Sequence, residues 1–347
     1  MANYSSLFVD LYNTVLDKEK CQCNVSDNKI QNAIRNLKDA YMPNHSWESL
    51  TETSVIANYN DPAHRCAYLH KYAMCYTGMV STLFEMAINV NADIREYIDS
   101  RKCLNVCSLG GGPGTDIIGI LTVICRFGNF PAFMTVVDYA SEWQITFKNI
   151  IKEIKSSFPE HVRMMVSSNY FKYQYLNGDL LSQVTTNSNI RNAVMSADIV
   201  TMVKFISAAA CDKTRKMVKD IFGCMKPGAL LIFIDNASGG FHEMISQVAS
   251  ECNMQLAFGP LLHYDYEDAR FSRTRFGYTS QSKTKITFYV WKKPTDTTQL
   301  LKNEYYAYNQ QSVDIPDFVS FKANYDPESQ RISSNYKETQ CGSCCLI

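Results

Sequence analysis

The residues best suited to binding chemistry in this sequence are a glycine-rich turn and a later aspartate. Four glycines follow the apolar run of residues 104–109, namely Gly110, Gly111, Gly112 and Gly114. Because glycine has no Cβ, such a turn can be tight and can approach a bound ligand closely. The carboxylate of Asp138, which ends the next apolar run, can accept two hydrogen bonds from ribose hydroxyls. Together these residues predict a site for a nucleotide-like ligand.

The spacing of the glycines separates three kinds of ligand site. A dinucleotide fingerprint counted from Gly110 would need a glycine at Thr115, and a phosphate-binding P-loop would need a Gly-Lys-Ser/Thr run that the chain lacks. The G-x-G-x-G spacing after a strand resembles that of class I S-adenosylmethionine (SAM)-dependent methyltransferases. Many members of that family carry an acid two residues before the first glycine, where this chain has Ser108.

The resemblance implies SAM as the cofactor and assigns roles to residues at successive strand ends. The glycine turn and Asp138 would hold the adenosyl group, Tyr139 would pack on the adenine, and Asp179 would contact the adenine amino group. The segment of residues 202–206, with Val203, matches the family position that packs on the methionine part. The Asn/Asp-Pro-Pro-Tyr/Phe motif of enzymes that methylate planar amines is absent from this position, so adenine or glutamine N-methylation of that kind is not expected.

The elements that must position these residues alternate between strand and helix from residue 104 onward. This order predicts a Rossmann-like, doubly wound, mostly parallel seven-stranded α/β sheet with a helical N-terminal cap. A helix is expected over residues 142–154 with Ile145 among its inward residues. We predict a cap over residues 1–100, a methyltransferase core over 101–293 and a polar, flexible tail over 294–347. The predicted strands are Leu104–Leu109, Phe133–Asp138, Phe171–Leu176, Asp198–Val203, Ala229–Asp235, Leu256–Leu261 and Lys285–Trp291.

The acceptor side of the site has a weaker signature, because methyl transfer mainly requires alignment of the reactants and exclusion of water. A base is needed only if the acceptor arrives protonated, and the sequence identifies no catalytic residue. Candidates come from the cap, the loop after the fifth strand and the segment between the last two strands. They are His64, Tyr68, Tyr72, Asn236, His263, Tyr264 and Arg270.

Composition limits the partners and the compartment. Lysine plus arginine equals aspartate plus glutamate at 34 each, so the formal net charge is zero and a nucleic-acid partner is not favoured. The chain has 13 cysteines, no secretory signal and no membrane-length apolar run, which predicts a reducing, cytoplasmic location. Close cysteine pairs at 21/23 and 341/344 lack a matching histidine pair, so no metal site is expected.

The last four residues, starting at Cys344, have the outline of a prenylation box, with Cys341 as a neighbour for acylation. Membrane association is expected only if Cys344 is lipidated, and the sequence leaves the oligomeric state open. The leading hypothesis is a SAM-dependent methyltransferase that acts on an N or O atom of a small molecule. The alternatives are an RNA or protein acceptor and, because Ser108 replaces the family's acid, a catalytically silent protein that binds an S-adenosyl ligand or serves as a scaffold. Nicotinamide-dependent oxidoreduction is disfavoured by Thr115.

Overall fold

The N-terminal part of the chain is helical, as the apolar spacing predicted. The computed structural model describes residues 4–40, 57–127 and 131–295. Its first helices are α1 (Ser5–Gln22), α2 (Asp27–Ala40), α3 (Pro62–Tyr68), α4 (Met74–Val90) and α5 (Ala92–Asp99). The π-helical turn Leu69–Ala73 joins α3 to α4. Helix α3 starts where the Asp61 side chain accepts a hydrogen bond from the Ala63 N–H.

The strands of the described chain are β1 (Leu104–Leu109), β2 (Ala132–Asp138), β3 (Phe171–Asn177), β4 (Ile199–Val203), β5 (Leu230–Asn236), β6 (Gln255–Glu267), β7 (Thr274–Arg275), β8 (Tyr278–Thr279) and β9 (Lys283–Lys292). Seven of them form one sheet with the order β3-β2-β1-β4-β5-β9-β6. Strands β1 to β5 are parallel, and β9 is antiparallel to β5 and β6. A separate ribbon contains β7 and β8. The order reverses between β1 and β4, where open α/β sheets bind their ligands.

Helices cover both faces of the sheet. They are α6 (Thr115–Ile124), α7 (Trp143–Ser157), α8 (Glu160–Ser167), α9 (Leu180–Gln183), α10 (Ser188–Ser196), α11 (Thr214–Cys224) and α12 (Phe241–Glu251). Successive strand residues serve opposite layers: Ile232 and Ile234 pack with α1 to α8, whereas Leu231 and Phe233 pack with α9 to α12. The predicted doubly wound, mostly parallel sheet with N-terminal helices is confirmed.

A buried polar cluster joins the N-terminal helices to the core. Glu19 on α1 accepts hydrogen bonds from Arg65 on α3 and from the Thr146 hydroxyl on α7, the latter at 2.7 Å. Both members of the ion pair are about as inaccessible as apolar core residues, with 4% of each side chain exposed. A buried charge is tolerated only when it is paired and hydrogen-bonded, so this cluster fixes the position of α1 and α3 against α7.

Two expectations about individual elements were wrong. Ile145 is 52% exposed, because Phe147, Ile150 and Ile154 set the inward face of α7 and Ile145 lies on the other side. The sixth strand was predicted to end at residue 261, but β6 continues to Glu267 past irregular pairing with β9, which places His263 and Tyr264 within a strand. The flexible-tail and lipidation predictions for residues 296–347 lie outside the described residues.

Two further observations concern the cysteines and the apolar character of the helices. The ten cysteines in the described residues are free thiols. Within the described ranges, no helix has the length and apolar character needed to cross a membrane.

Candidate active site at the carboxyl ends of the strands

The glycine turn connects β1 to α6 and requires conformations and spaces that suit glycine. Gly110, Gly112 and Gly114 have φ angles of 65°, 52° and 80°, in the left-handed region that L side chains rarely adopt. A Cβ on Gly110 would also overlap the ring of Phe205, which follows β4. The turn is therefore close-packed on its β4 side and presents backbone rather than side chains toward the switch point.

Asp138 at the end of β2 binds this turn directly. Its Oδ2 accepts a hydrogen bond from the Gly112 N–H at 2.8 Å, and its Oδ1 accepts one from the Ala140 N–H at 2.9 Å. A carboxylate has about four acceptor positions, so each oxygen can still accept another donor. Burial raises the pKa of Asp138 to about 6, even though the two N–H donors oppose this rise. The carboxylate is thus placed to receive hydroxyl donors from a ligand above the turn.

A second acid, Asp116, lies beneath the turn. It is almost fully buried, and its carboxylate accepts hydrogen bonds from the Ser108 hydroxyl at 2.6 Å, from the Thr201 hydroxyl and from the Ile117 N–H at 3.0 Å. Burial raises the pKa of Asp116 above its usual value. A buried carboxyl group therefore lies next to Ser108, but it belongs to α6, whereas the family's usual acid would stand in β1 at the position of Ser108.

The other residues proposed for the cofactor lie at neighbouring strand ends. Tyr139 follows Asp138 and is 60% exposed. Asp179 caps α9, where its carboxylate accepts hydrogen bonds from the Leu181 N–H at 3.0 Å and the Ser182 hydroxyl at 2.8 Å. Val203 is the half-buried last residue of β4. All three border the carboxyl edge of the sheet, as expected from their places at the ends of β2, β3 and β4.

A row of aromatic rings crosses this edge from the glycine turn, with neighbouring ring centroids 4.9 to 6.3 Å apart. The aromatic row consists of Tyr59, Trp143, Tyr68, Tyr72 and Tyr76. At one end, the Trp143 indole nitrogen would be 3.7 Å from a Cβ placed on Gly112. At the other end, the Tyr72 and Tyr76 rings stack at 24°. The tyrosines of the N-terminal region thus meet Trp143 of α7 beside the glycine turn, in a row of rings that is mostly tilted or edge-on and largely buried.

Lys204 stands at the far end of the aromatic row. Its Nζ lies 5.8 Å from the centroid of the Tyr76 ring and donates hydrogen bonds to Asn236 Oδ1 at 2.7 Å and Thr284 Oγ1 at 3.2 Å. Asp235 on β5 is fully buried next to this group and accepts hydrogen bonds from the Ser207 N–H and hydroxyl. A cation is therefore enclosed at the carboxyl ends of β4 and β5.

The structure brings together some of the proposed acceptor residues and separates others. Tyr68 and Tyr72 belong to the aromatic row, and Asn236 contacts Lys204. His64 lies in the first turn of α3 with its ring 3.3 Å from Asp61. The remaining candidates make none of these contacts among the described residues. On the edge strand β6, His263 faces the His242 ring of α12, and Tyr264 pairs with Ile286 of β9. Arg270 forms an ion pair with Asp268 at the surface.

The sequence reasoning gave no site role to Asp116, Trp143 or Tyr76, and it included Lys204 only within the segment of residues 202–206. Lys204 carried a detectable signal, because a lysine directly after a buried parallel strand lies at the edge where ligands bind. Trp143 and Tyr76 carried no local signal that distinguishes them from ordinary core aromatics.

The comparisons with known proteins identify one family. The family model described as "Putative SAM-dependent methyltransferase" matches residues 17–257, which is more than half of the chain. No curated protein matches the sequence.

Several solved structures resemble the chain at low identity. A SAM-dependent methyltransferase from Methanosarcina mazei has a TM-score of 0.38 and 13% identity over 58% of this chain and 97% of its own. An O-methyltransferase family protein from Burkholderia thailandensis has a TM-score of 0.39 and 12% identity over 68% of this chain and 61% of its own. The N-methyltransferase NodS from Bradyrhizobium japonicum, solved with S-adenosylhomocysteine (SAH), has a TM-score of 0.34 and 9% identity over 58% and 84%.

Proposed function

Because the chain belongs to a family of SAM-dependent methyltransferases, we propose that it binds SAM over the glycine turn and methylates an oxygen or nitrogen atom of a small molecule. The observation that carries this proposal is the contact of Asp138 with Gly112 at the switch point of the sheet. It combines a turn that a ligand can approach closely with a carboxylate that has acceptor positions to spare.

The residues present fit the adenosyl part of the cofactor. Phe205 packs closely against Gly110, so a side chain at this position of the turn would not fit. The Asp138 carboxylate would accept the ribose hydroxyls, the exposed Tyr139 ring would cover the adenine, and Asp179 would accept from the adenine amino group. Val203 would border the methionine part. When bound, the cofactor supplies a methyl group already activated by a positively charged sulfur, so the chain has to bind, align and exclude water.

The helices of residues 1–100 would form the acceptor side of this site. The four tyrosines of the aromatic row adjoin Trp143 of α7, which lies beside the glycine turn, and the row of rings would pack against an aromatic part of the acceptor. The zero formal net charge of the chain favours such an acceptor over a nucleic acid. The free cysteines agree with a cytoplasmic enzyme. In this proposal residues 101–293 act as the catalytic core and residues 1–100 as its cap.

Calorimetry and methyl-transfer assays on the full-length protein test the proposal. We expect SAH to bind, and we expect methyl-labelled SAM to modify members of a panel of phenols, amines and heterocycles. Absence of SAH binding would contradict the cofactor assignment. Transfer only to RNA or protein would refute the small-molecule acceptor, and SAH binding without transfer to any acceptor class would favour a silent binding protein.

A further inference from the structure

Lys204 has a backbone conformation that a long side chain rarely adopts. Its φ angle is 54°, and its N–H donates to the Ile234 carbonyl at 2.7 Å, which holds the residue against β5 at the point where β4 has just ended. Left-handed conformations of residues other than glycine cost about 1 kcal/mol or more and are concentrated at functional sites. Here the conformation turns the Lys204 side chain into the interior, where the residue is only 8% exposed.

The contacts of Nζ do not resemble those of a structural buried lysine. A lysine that serves only stability normally forms a direct ion pair when it is buried. Among the described residues Lys204 has no carboxylate within ion-pair distance, and its two hydrogen bonds go to the neutral oxygens of Asn236 and Thr284. The third N–H donor has no hydrogen-bond partner among those residues. The ammonium is therefore incompletely satisfied within the described part of the chain.

The groups that face Lys204 set its charge. Burial lowers the pKa of Lys204 to about 8, while Asp235 on β5 and the Cys75 thiol on α4 oppose this shift. The remaining neighbours on α4, β5 and β9 are the Tyr76 ring, the Asn236 amide and the Thr284 hydroxyl. At neutral pH about a tenth of such lysines are uncharged. A general base works best with a pKa close to the working pH.

Lys204 is also next to both parts of the proposed site. The adjacent residue, Phe205, packs on Gly110 of the glycine turn. The aromatic row runs from Trp143 beside Gly112 to Tyr76 beside Lys204. An aromatic acceptor bound against this row would have the glycine turn toward one end and Lys204 toward the other.

We propose that Lys204 is a catalytic residue that removes a proton from an O–H or N–H group on a planar acceptor. The inference rests on the proposed methyltransferase function and deepens it by naming the acceptor's chemical class. A lone pair on the acceptor atom forms the new bond to the methyl carbon, and the carbon–sulfur bond breaks with its electron pair passing to sulfur. The acceptor's proton passes to the lone pair of neutral Lys204 Nζ, and the resulting ammonium later returns it to solvent.

The test uses SAH and 4-nitrophenol, a planar hydroxyl compound whose ionised form is yellow. It compares full-length wild type, Lys204→Met, Lys204→Arg and the control Lys216→Met, which removes an exposed lysine that pairs with Asp220. Calorimetry first measures SAH binding, which should be retained in all three variants because the Lys204 ammonium contacts Asn236 and Thr284 rather than the glycine turn or Asp138. Failure of wild type to bind SAH contradicts the proposed function itself. Thermal unfolding of each variant identifies any that do not fold. If Lys204→Met does not fold, the pH profile of methyl transfer by Lys204→Arg provides the test.

On the SAH complexes, the colour of 4-nitrophenol is then followed against pH. Wild type and Lys216→Met should lower the pKa of the bound probe by about one unit or more, because proton transfer leaves an ammonium beside a phenolate. Lys204→Met should abolish that shift, and Lys204→Arg should retain it because the positive charge remains. Equal ionisation by wild type and Lys204→Met overturns the proposal, as does a wild-type complex that binds SAH but not the probe.

The methyl-transfer rate separates a base from a fixed charge. For any acceptor that the wild type modifies, the rate should rise about tenfold per pH unit below pH 8 and then level off. Lys204→Arg should lose this rise together with most of the activity, because arginine cannot be deprotonated in proteins. A lysine with only a structural role would leave the pH profile unchanged, and that result would also overturn the proposal.

Discussion

The pH dependence of cofactor binding gives a demanding test of the role proposed for Asp138. The ionised carboxylate is the form that would accept ribose hydroxyls most strongly, since hydrogen bonds to charged groups are about twice as strong as neutral ones. Burial raises the pKa of this group to about 6 in the unliganded protein. Cofactor binding must therefore remove a proton whenever the pH lies below that value.

The magnitude follows from the same pKa. Each pH unit below 6 should weaken SAH binding about tenfold, or about 1.4 kcal/mol, whereas affinity should be flat above pH 7. The sign for stability is opposite. The pKa of Asp138 is raised on folding, so its contribution favours the unliganded fold at acid pH and is lost as the pH rises through about 6. The increase in Tm caused by SAH should thus be larger at pH 8 than at pH 5.

Isothermal calorimetry on wild type and Asp138→Asn provides the assay. The amide is neutral and still accepts one of the two N–H donors from Gly112 and Ala140. We expect its SAH affinity at neutral pH to be lower by about tenfold to a hundredfold, since two charged hydrogen bonds become weaker or are lost. We also expect that affinity to be independent of pH.

Two results would refute the reasoning about Asp138. One is a wild-type SAH affinity that does not change between about pH 5 and pH 8, over which the carboxyl group must titrate. The other is an Asp138→Asn variant that keeps the wild-type affinity and pH profile, which would assign any pH dependence to another group.

Three further substitutions test the glycine turn, the buried Asp116 beneath it and the ion pair between Glu19 and Arg65. Gly110→Ala should destabilise the fold by about 1 kcal/mol or more and weaken SAH binding, because φ is 65° and the methyl group meets an aromatic ring. Ser108→Ala should cost about 1–3 kcal/mol in urea unfolding, since the buried carboxyl group on α6 loses a donor. Arg65→Met should cost about 3–5 kcal/mol by leaving the Glu19 charge buried and unpaired, whereas replacing both residues by apolar ones should cost much less.

Matched controls separate these effects from general damage. Gly223 lies in α11, and a Cβ added there would have no neighbour within 4 Å in the described structure. Gly223→Ala should therefore leave the free energy of unfolding unchanged or raise it. If Gly110→Ala behaves like Gly223→Ala, the packing argument for the turn is wrong. A Ser108→Ala protein as stable as wild type would show that Asp116 does not depend on that hydroxyl. Equal losses from the single and double ion-pair substitutions would contradict the argument from an unpaired charge.

The sheet could be predicted because its signals are local. Strand β5 is a continuous apolar run preceded by a Lys-Pro-Gly turn. In β9, successive side chains point alternately to the two faces of the sheet. The extension of β6 to Glu267 was hidden, because β6 is an edge strand with polar residues and its pairing with β9 is irregular between Leu256 and Tyr264. The error at Ile145 has a similar cause. The sequence predicts the helix α7, but packing against neighbouring elements decides which face of the helix points inward.

The site divides in the same way. The glycine turn follows β1 and Asp138 ends β2, so both are identified from strand ends that are close in sequence, and a hydrogen bond joins them in the structure. Lys204 and Tyr76 come from distant parts of the chain and meet only in the folded protein, where the Lys204 Nζ lies 5.8 Å from the centroid of the Tyr76 ring. Burial of Asp116 beneath the turn is likewise a tertiary effect. Such contacts leave no periodicity in the sequence, which is why sequence reasoning did not bring these residues together.

A crystal structure of the full-length chain with SAH would test the central claim most directly. The account predicts ribose hydroxyls within hydrogen-bond distance of Asp138, the adenosyl group over Gly110 to Gly114, and the sulfur directed toward the aromatic row. SAH bound elsewhere, or bound over the turn without a contact to Asp138, would contradict it.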